Sequence, residues 1–434
     1  MKKKIYVPMG ADIIHEAHLN IIKKAKQYGD VIIGLFSDKA ISEYKRLPLI
    51  SYEQRYAMMD KIKGITMIVK QDSWNYSKNL KKIKPDYLIH GDDWKTGIQK
   101  EMRKKVIKIM SSWGGKVIEV PYSKNISNQT VKNIKNSFFF SSENRVSRLK
   151  RLLNSKPIVR LIECHSPLVG MVIESLKLER KNKFIEFDGL WSSSLTDSLL
   201  FAKEDNQSLD LSARIQTLNY TLESTSKPIL MDVDNGGRNE HLNNLIKNLE
   251  RLGVSGIMME DKVGEKINSL SVNQSQSFQD SISNFCKKIK IAINARRLND
   301  FMIGARIESL ILNKGIKDAL KRADAYSKAG ADLILIHSKK NTPVEIIDFC
   351  KKFKKSNFYK PIVVVPSTYP QIKEQELIKN GVKIVIYANQ LMRASYKAIK
   401  QSAISILKSQ KASQLENKIT SIKEIISLIP KVKK

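Results

Sequence analysis

Residues Glu260-Asp261-Lys262-Val263-Gly264-Glu265-Lys266-Ile267-Asn268-Ser269-Leu270 place two acids at the end of an apolar run, then lysines and an asparagine. A carboxylate at a strand end can hold a hard cation through oxygen, and Lys and Asn just beyond it can grip an anionic substrate. A strand end followed by a solvated charged loop would look the same if this stretch stood alone. It does not stand alone. Asp232 and Asp234 alternate at the end of another apolar run and are expected to share a face. With Glu260 they make a three-carboxylate cluster suited to Mg²⁺, directly or through water. Arg306 and His337 end later runs and could hold phosphoryl oxygens. Asp205 follows the second run of its series, near enough in topology to face the same cavity.

These residues need a scaffold, and the apolar pattern supplies one. From about residue 150, strand-like runs end at Cys164-His165, 188–190, 232–234, Glu260-Asp261, Arg306, His337, Pro366-Ser367 and Ala388-Asn389. Helical patterns separate them, so about eight strands are expected, the number of a (β/α)₈ barrel, with polar residues at the strand ends where that fold places its site. Before residue 125 the runs 5–9, 31–36, 64–69, 87–89 and 117–120 alternate with helical stretches at 15–27 and 52–62. That alternation predicts parallel strands with crossover helices, a Rossmann-like sheet. The fold class is therefore α/β twice over. Ser141-Ser142-Glu143-Asn144, polar and strand-free, is the expected boundary, with domains at 1–140 and 147–434. The segment 394–428 is helical in pattern and lysine-rich, suited to capping the barrel or pairing with a neighbouring subunit.

At 434 residues the chain exceeds one ordinary core, and its 42% hydrophobic and 27% charged composition is globular. No run is long enough to span a membrane, and Met1-Lys2-Lys3-Lys4 leads straight into a strand rather than a signal peptide. Cys164, Cys286 and Cys350 lie far apart without metal-ligand spacing, which points to a reduced, cytoplasmic protein. The net charge of +33 invites a nucleic-acid reading. Lysine carries most of it, spread along the chain with no Arg-rich or aromatic-interleaved tract, so solvated helix faces account for it better.

Residues from about 147 onward resemble phosphoenolpyruvate mutase, of the isocitrate lyase superfamily. The resemblance rests on Asp188-Gly189-Leu190-Trp191-Ser192-Ser193, Asp232-Val233-Asp234-Asn235-Gly236, residues 260–270, Ala305-Arg306-Ile307-Glu308 and His337-Ser338-Lys339-Lys340. It implies a Mg²⁺-dependent, reversible rearrangement of phosphoenolpyruvate to phosphonopyruvate. In that reading Asp232 is the principal metal ligand, supported through water by Asp234 and Glu260. The backbone around Ser193-Ser194-Leu195 receives the carboxylate, and Trp191, Lys262 and Ser269 complete the substrate contacts. Arg306, His337 and Asn268 hold the phosphoryl group, Asp205 lies beside its path, and Lys266 belongs to a lid at 262–270. Isocitrate and methylisocitrate lyases carry Lys-x-Cys-Gly-His at this lid, whereas Lys266-Ile267-Asn268-Ser269 has neither Cys nor His. Phosphonopyruvate hydrolase is the nearer rival, and Asn268 favours the mutase. Asn235 and Ser194 depart from the family's usual Thr and Gly.

His15-Glu16-Ala17-His18 follows the first strand and opens a helix, so its two imidazoles share a face. The domain resembles the cytidylyltransferase-like nucleotidyltransferases, whose corresponding turn is His-x-Gly-His. The resemblance implies transfer of CMP from CTP to a phosphate or phosphonate, with His15 and His18 stabilising charge at the α-phosphorus. Lys45, with Arg46 beside it, and Arg55 and Asp92 would bind nucleotide, with Ser127 and Thr130 in a motif like Ile-Ser-Thr-Thr at the triphosphate. Ala17 for Gly, and Tyr122 where an Arg often stands, are departures. The whole reads as a bifunctional enzyme acting on phosphoenolpyruvate or phosphonopyruvate and CTP, with neither membrane nor nucleic acid, in a homo-oligomer. A basic nucleic-acid-binding protein on inactive scaffolds is the alternative from another class.

Overall fold

A computed structural model describes residues 2–44, 46–121, 141–180, 183–271, 274 and 277–429. They form two compact units. The first comprises residues 1–139 with 154–156 and 177–186, and the second takes the rest.

The first unit carries a five-stranded parallel sheet: β1 (Lys4–Met9), β2 (Asp30–Phe36), β3 (Met67–Gln71), β4 (Tyr87–Gly91) and β5 (Lys116–Val120), in the order β3-β2-β1-β4-β5. β1 and β2 are buried almost end to end. This is why they read as continuous apolar runs, as strands covered on both faces must. A side chain at Gly34 of β2 would meet the Tyr6 hydroxyl at 2.1 Å, a position that hydroxyl holds by donating to Gln71 Oε1 at 2.7 Å. Strand order reverses between β1 and β4, so the turn after β1 and the end of β4 share one crevice at the carboxyl edge, the usual ligand position of such sheets. The third strand lies slightly later than the 64–69 expected from sequence.

In the second unit eight parallel strands close a barrel: β6 (Val159–Glu163), β9 (Gly189–Ser192), β10 (Ile229–Asp232), β11 (Gly256–Glu260), β14 (Met302–Ile307), β15 (Leu333–Ile336), β16 (Ile362–Val364) and β17 (Val382–Tyr387), which pairs back to β6. Two hairpins interrupt the series. β7 (Leu178–Arg180) pairs with β8 (Lys183–Ile185), a pair that belongs to the first unit, and β12 (Lys262–Gly264) pairs with β13 (Ser277–Gln279). The second hairpin brackets the segment that follows Glu260-Asp261. Outward strand residues such as Ile257, Met259, Ile303 and Ile336 pack against Phe285, Ile289, Ala323 and Phe349 of the surrounding helices. Inward positions alternate with them, and Glu260 pairs in register with Arg306, so both face the barrel axis.

Two expectations need correcting. Asp188 precedes β9 instead of ending a strand, and its carboxylate accepts from the Arg160 backbone N–H at 2.9 Å at the end opposite the polar mouth. The segment 394–428 is broken: helices Gln390–Ser409, Ser413–Glu416 and Ile422–Leu428 are separated at Gln410, which adopts φ 49°, and at 417–421. The polar stretch proposed as the boundary opens a helix, Ser142–Ser155.

Candidate active site

The carboxyl ends of the barrel strands surround a cavity. Trp191, Ser193, Ser194 and Leu195 form one wall, and Asp232, Glu260, Arg306 and His337 rise from β10, β11, β14 and the end of β15. Asp205 and residues 266–270 close over it, while Leu335, Val365, Ser367, Ala388 and Asn389 complete the far side.

The covering segment is tied down by charge. Lys266 Nζ lies 2.6 Å from Asp205 Oδ1 and 2.5 Å from Asp234 Oδ1, and Asn268 Nδ2 donates to Asp205 Oδ2 at 2.6 Å. Burial alone would lower the Lys266 pKa, but the charges of Asp234, Asp205 and Asp232 raise it. Arg306 Nε pairs with Glu308 Oε1 at 2.6 Å, and its Nη2 reaches Ser269 Oγ at 2.7 Å and Glu260 at 3.3 Å. Burial lowers the His337 pKa below its ordinary value, opposed by the hydrogen bond to Glu308 and aided by the Arg306 charge. Burial pushes Glu260 up to about 7 against the pull of Arg306 and Lys262. It raises Asp232 as well, with the charge of Asp234 adding to it.

The three acids do not converge as expected. Asp234 adopts φ 53°, so the chain has left the strand and alternation does not carry its side chain. It reaches Lys266 and is absent from the cavity wall. Among the described residues no group of three or more His, Cys, Asp or Glu side chains closes on one point. The donors still fit a hard divalent cation. Asp232 and Glu260 are buried oxygen ligands facing the cavity, and an ion that keeps most of its water needs few protein ligands.

Lys262 is a second correction. It is buried, and its Nζ donates to Ile267 O at 2.7 Å and Ser269 Oγ at 3.1 Å, bracing the covering segment from within instead of lining the cavity. Sequence reasoning assigned no role to Glu308, Arg214, Ser367 or Asn389. Glu308 carried a usable signal, standing two residues beyond Arg306 and so on the same side of the chain. Arg214 carried none. It sits within helix Leu211–Ser224 and reaches Asp197 at 3.0 Å and Asp234 at 3.9 Å only through the fold.

In the first unit His15 caps helix Glu16–Lys26, and its ring lies 4.1 Å from that of His18, so the structure brings the pair together. Asp12 braces the turn by accepting from Leu49 N at 2.7 Å and Ile50 N at 3.2 Å. At the end of β4, His90 stacks on Trp94 at 4.0 Å, and Asp92 opens a short 3₁₀ helix, Asp92–Lys95. Arg55 is not offered to a ligand. It is fully buried, and its guanidinium donates to Gly10 O, Phe36 O, Ile50 O and Asp38 Oδ1. Arg46 pairs with Glu186 at 3.0 Å. Lys45, Tyr122, Ser127 and Thr130 lie outside the described residues.

Residues 149–407 match the family described as phosphoenolpyruvate phosphomutase, and residues 11–142 match the one described as cytidylyltransferase-like. The phosphoenolpyruvate phosphomutase of Tetrahymena pyriformis is 33% identical over 67% of this chain and 93% of its own. The phosphonopyruvate hydrolase of Variovorax sp. (strain Pal2) is also 33% identical, over 64% of this chain and 93% of its own. The crystal structure of the phosphoenolpyruvate phosphomutase from Streptomyces platensis subsp. rosaceus superposes with a TM-score of 0.60 at 31% identity, covering 65% of this chain and 94% of that one. A phosphonopyruvate hydrolase solved with oxalate and Mg²⁺ gives 0.59 at 31%, with the same coverage. With the barrel, its acidic and basic mouth and these likenesses together, the chain belongs to the phosphoenolpyruvate phosphomutase family and carries a cytidylyltransferase-like domain in its N-terminal part.

Proposed function

We propose that residues 147–434 form a Mg²⁺-dependent phosphoenolpyruvate mutase that interconverts phosphoenolpyruvate and phosphonopyruvate. We further propose that residues 1–140 transfer CMP from CTP to a phosphate or phosphonate, releasing pyrophosphate. The observation that carries the first reading is Asn268 reaching across the mouth to Asp205 at 2.6 Å, beside Arg306 and His337 in one cavity. Phosphoryl migration through a loose transition state needs positioning and charge more than covalent help. Arg306, His337 and Asn268 hold the phosphoryl oxygens, and the backbone at 193–195 takes the carboxylate. Asp205 flanks the migration path, and residues 262–270 keep water from capturing the phosphoryl group. Asp232 and Glu260 would hold Mg²⁺, in part through its water, and the bound ion would supply positive charge to the substrate's oxygens.

The equal identity of the Variovorax hydrolase supports a second reading, in which water enters the same cavity. Phosphorus NMR with phosphonopyruvate and Mg²⁺ separates the two. The mutase turns the phosphonate signal into phosphoenolpyruvate, whereas the hydrolase gives inorganic phosphate and pyruvate. An unchanged phosphonate signal sinks both.

Among the described residues no helix is long and apolar enough to cross a membrane. Three unpaired cysteines support a reduced, cytoplasmic setting. Tyr396, Ile399 and Leu407 of helix Gln390–Ser409 are 64%, 70% and 77% exposed, an apolar stripe that supports at least a homodimer. A monomeric mass in solution contradicts that assembly.

A further inference from the structure

Glu308 is a fully buried carboxylate just beyond β14, and each of its oxygens is bonded to a residue that lines the mouth. Oε1 accepts from Arg306 Nε at 2.6 Å and lies 3.5 Å from His337 Nδ1. Oε2 accepts from Ser269 Oγ at 2.6 Å and lies 4.0 Å from Lys262 Nζ. Its backbone N–H donates to Asp261 Oδ1 at 2.9 Å, and Asp261 also accepts from Tyr326 and Arg322, so the position is anchored from below.

Ser269 uses its whole hydrogen-bonding capacity in this arrangement. Its hydroxyl donates its one proton to Glu308 and accepts from Arg306 Nη2 at 2.7 Å and Lys262 Nζ at 3.1 Å. Ser269 belongs to the covering segment, so its bonds to Glu308 and Arg306 fasten that segment to the end of β14. Without Glu308 the acids nearest Arg306 are Glu260 at 3.3 Å and Asp232 at 3.6 Å, the two that face the cavity.

We infer that Glu308 is a positioning residue: it fixes Arg306 and His337 and, through Ser269, ties closure of segment 262–270 to completion of that pair. This rests on the phosphoryl-transfer reading for its kinetic consequence, but the tie itself is a property of the substrate-free chain. It gives closure a chemical sense, because the hydroxyl that seals the segment also completes the cradle of the guanidinium.

The test uses full-length Glu308→Gln, Ser269→Ala and the double variant, with two readouts. Hydrogen exchange over 262–271 in the substrate-free protein is expected to quicken about tenfold in both single variants, and no further in the double. With phosphonopyruvate and Mg²⁺, Ser269→Ala is expected to lose about tenfold in kcat with a severalfold larger share of inorganic phosphate. Glu308→Gln is expected to lose about 10²-fold in kcat/KM, with KM raised because Arg306 is no longer held. Wild-type exchange in Ser269→Ala overturns the inference, and so does a double variant whose effects simply add. If Glu308→Gln does not fold, Ser269→Ala decides by itself. If the wild-type protein leaves phosphonopyruvate unchanged, the proposed function falls while the exchange data still decide the tie.

Discussion

The barrel mouth and the turn after β1 both gather imidazoles, acids and basic side chains, and they are assembled in opposite ways. His15 and His18 meet because they are three residues apart at one helix start, a contact that local geometry dictates. The mouth draws Asp205, Asp232, Lys266, Asn268, Arg306 and His337 from more than 130 positions of chain, and each side chain is held by another from a different strand or loop. A local motif can be displaced with little effect on the rest of the sheet. A cross-strand network is lost in pieces that leave buried charges unpaired, so its perturbations should be larger and should couple.

Removing the principal phosphoryl cation should break this comparison hardest. Arg306→Ala is expected to lower turnover of phosphonopyruvate by about 10³-fold or more, read by phosphorus NMR. Asp205→Ala, which frees Asn268 and leaves Lys266 paired with Asp234, should follow with a loss of about 10²–10³-fold and no large change in thermal midpoint. Chelation should abolish turnover, and added Mg²⁺ should restore it while raising the barrel's unfolding free energy by about 2.7 kcal/mol at a hundredfold excess over Kd.

The first unit should respond through different residues. His18→Ala is expected to reduce CTP-dependent pyrophosphate release by about 10²-fold and to leave the barrel reaction unchanged. Arg55→Ala should act on stability, costing about 3 kcal/mol, because it leaves Asp38 and three carbonyls without their shared donor. A variant that keeps its unfolding midpoint but loses nucleotide binding would reverse the assignment of Arg55 as structural. Asn268→Ala is expected to have the smallest effect, a severalfold shift of product from phosphoenolpyruvate toward inorganic phosphate.

Local spacing made much of the mouth legible, since strand ends mark where a parallel barrel exposes polar groups. Asp232, Glu260, Arg306 and His337 all stand at such ends and all line the cavity. Alternation failed at Asp234, where a left-handed residue takes the chain off the strand. The resemblances offered Lys262 and Arg55 to ligands, but both are buried, and burial depends on what packs over a side chain and not on its neighbours in sequence.

The order of apolar runs and turns determined the α/β class, the eight-strand count and which residues stand at strand ends, because side-chain alternation and helix periodicity are properties of short segments. The tertiary structure decided which charges meet. Ser269 and Glu308 are 39 positions apart, Lys266 and Asp205 61, and only closure of the barrel and of the segment over its mouth brings each pair to 2.6 Å. Pairing energies of that kind arise from desolvation and contact, which no stretch of sequence contains by itself.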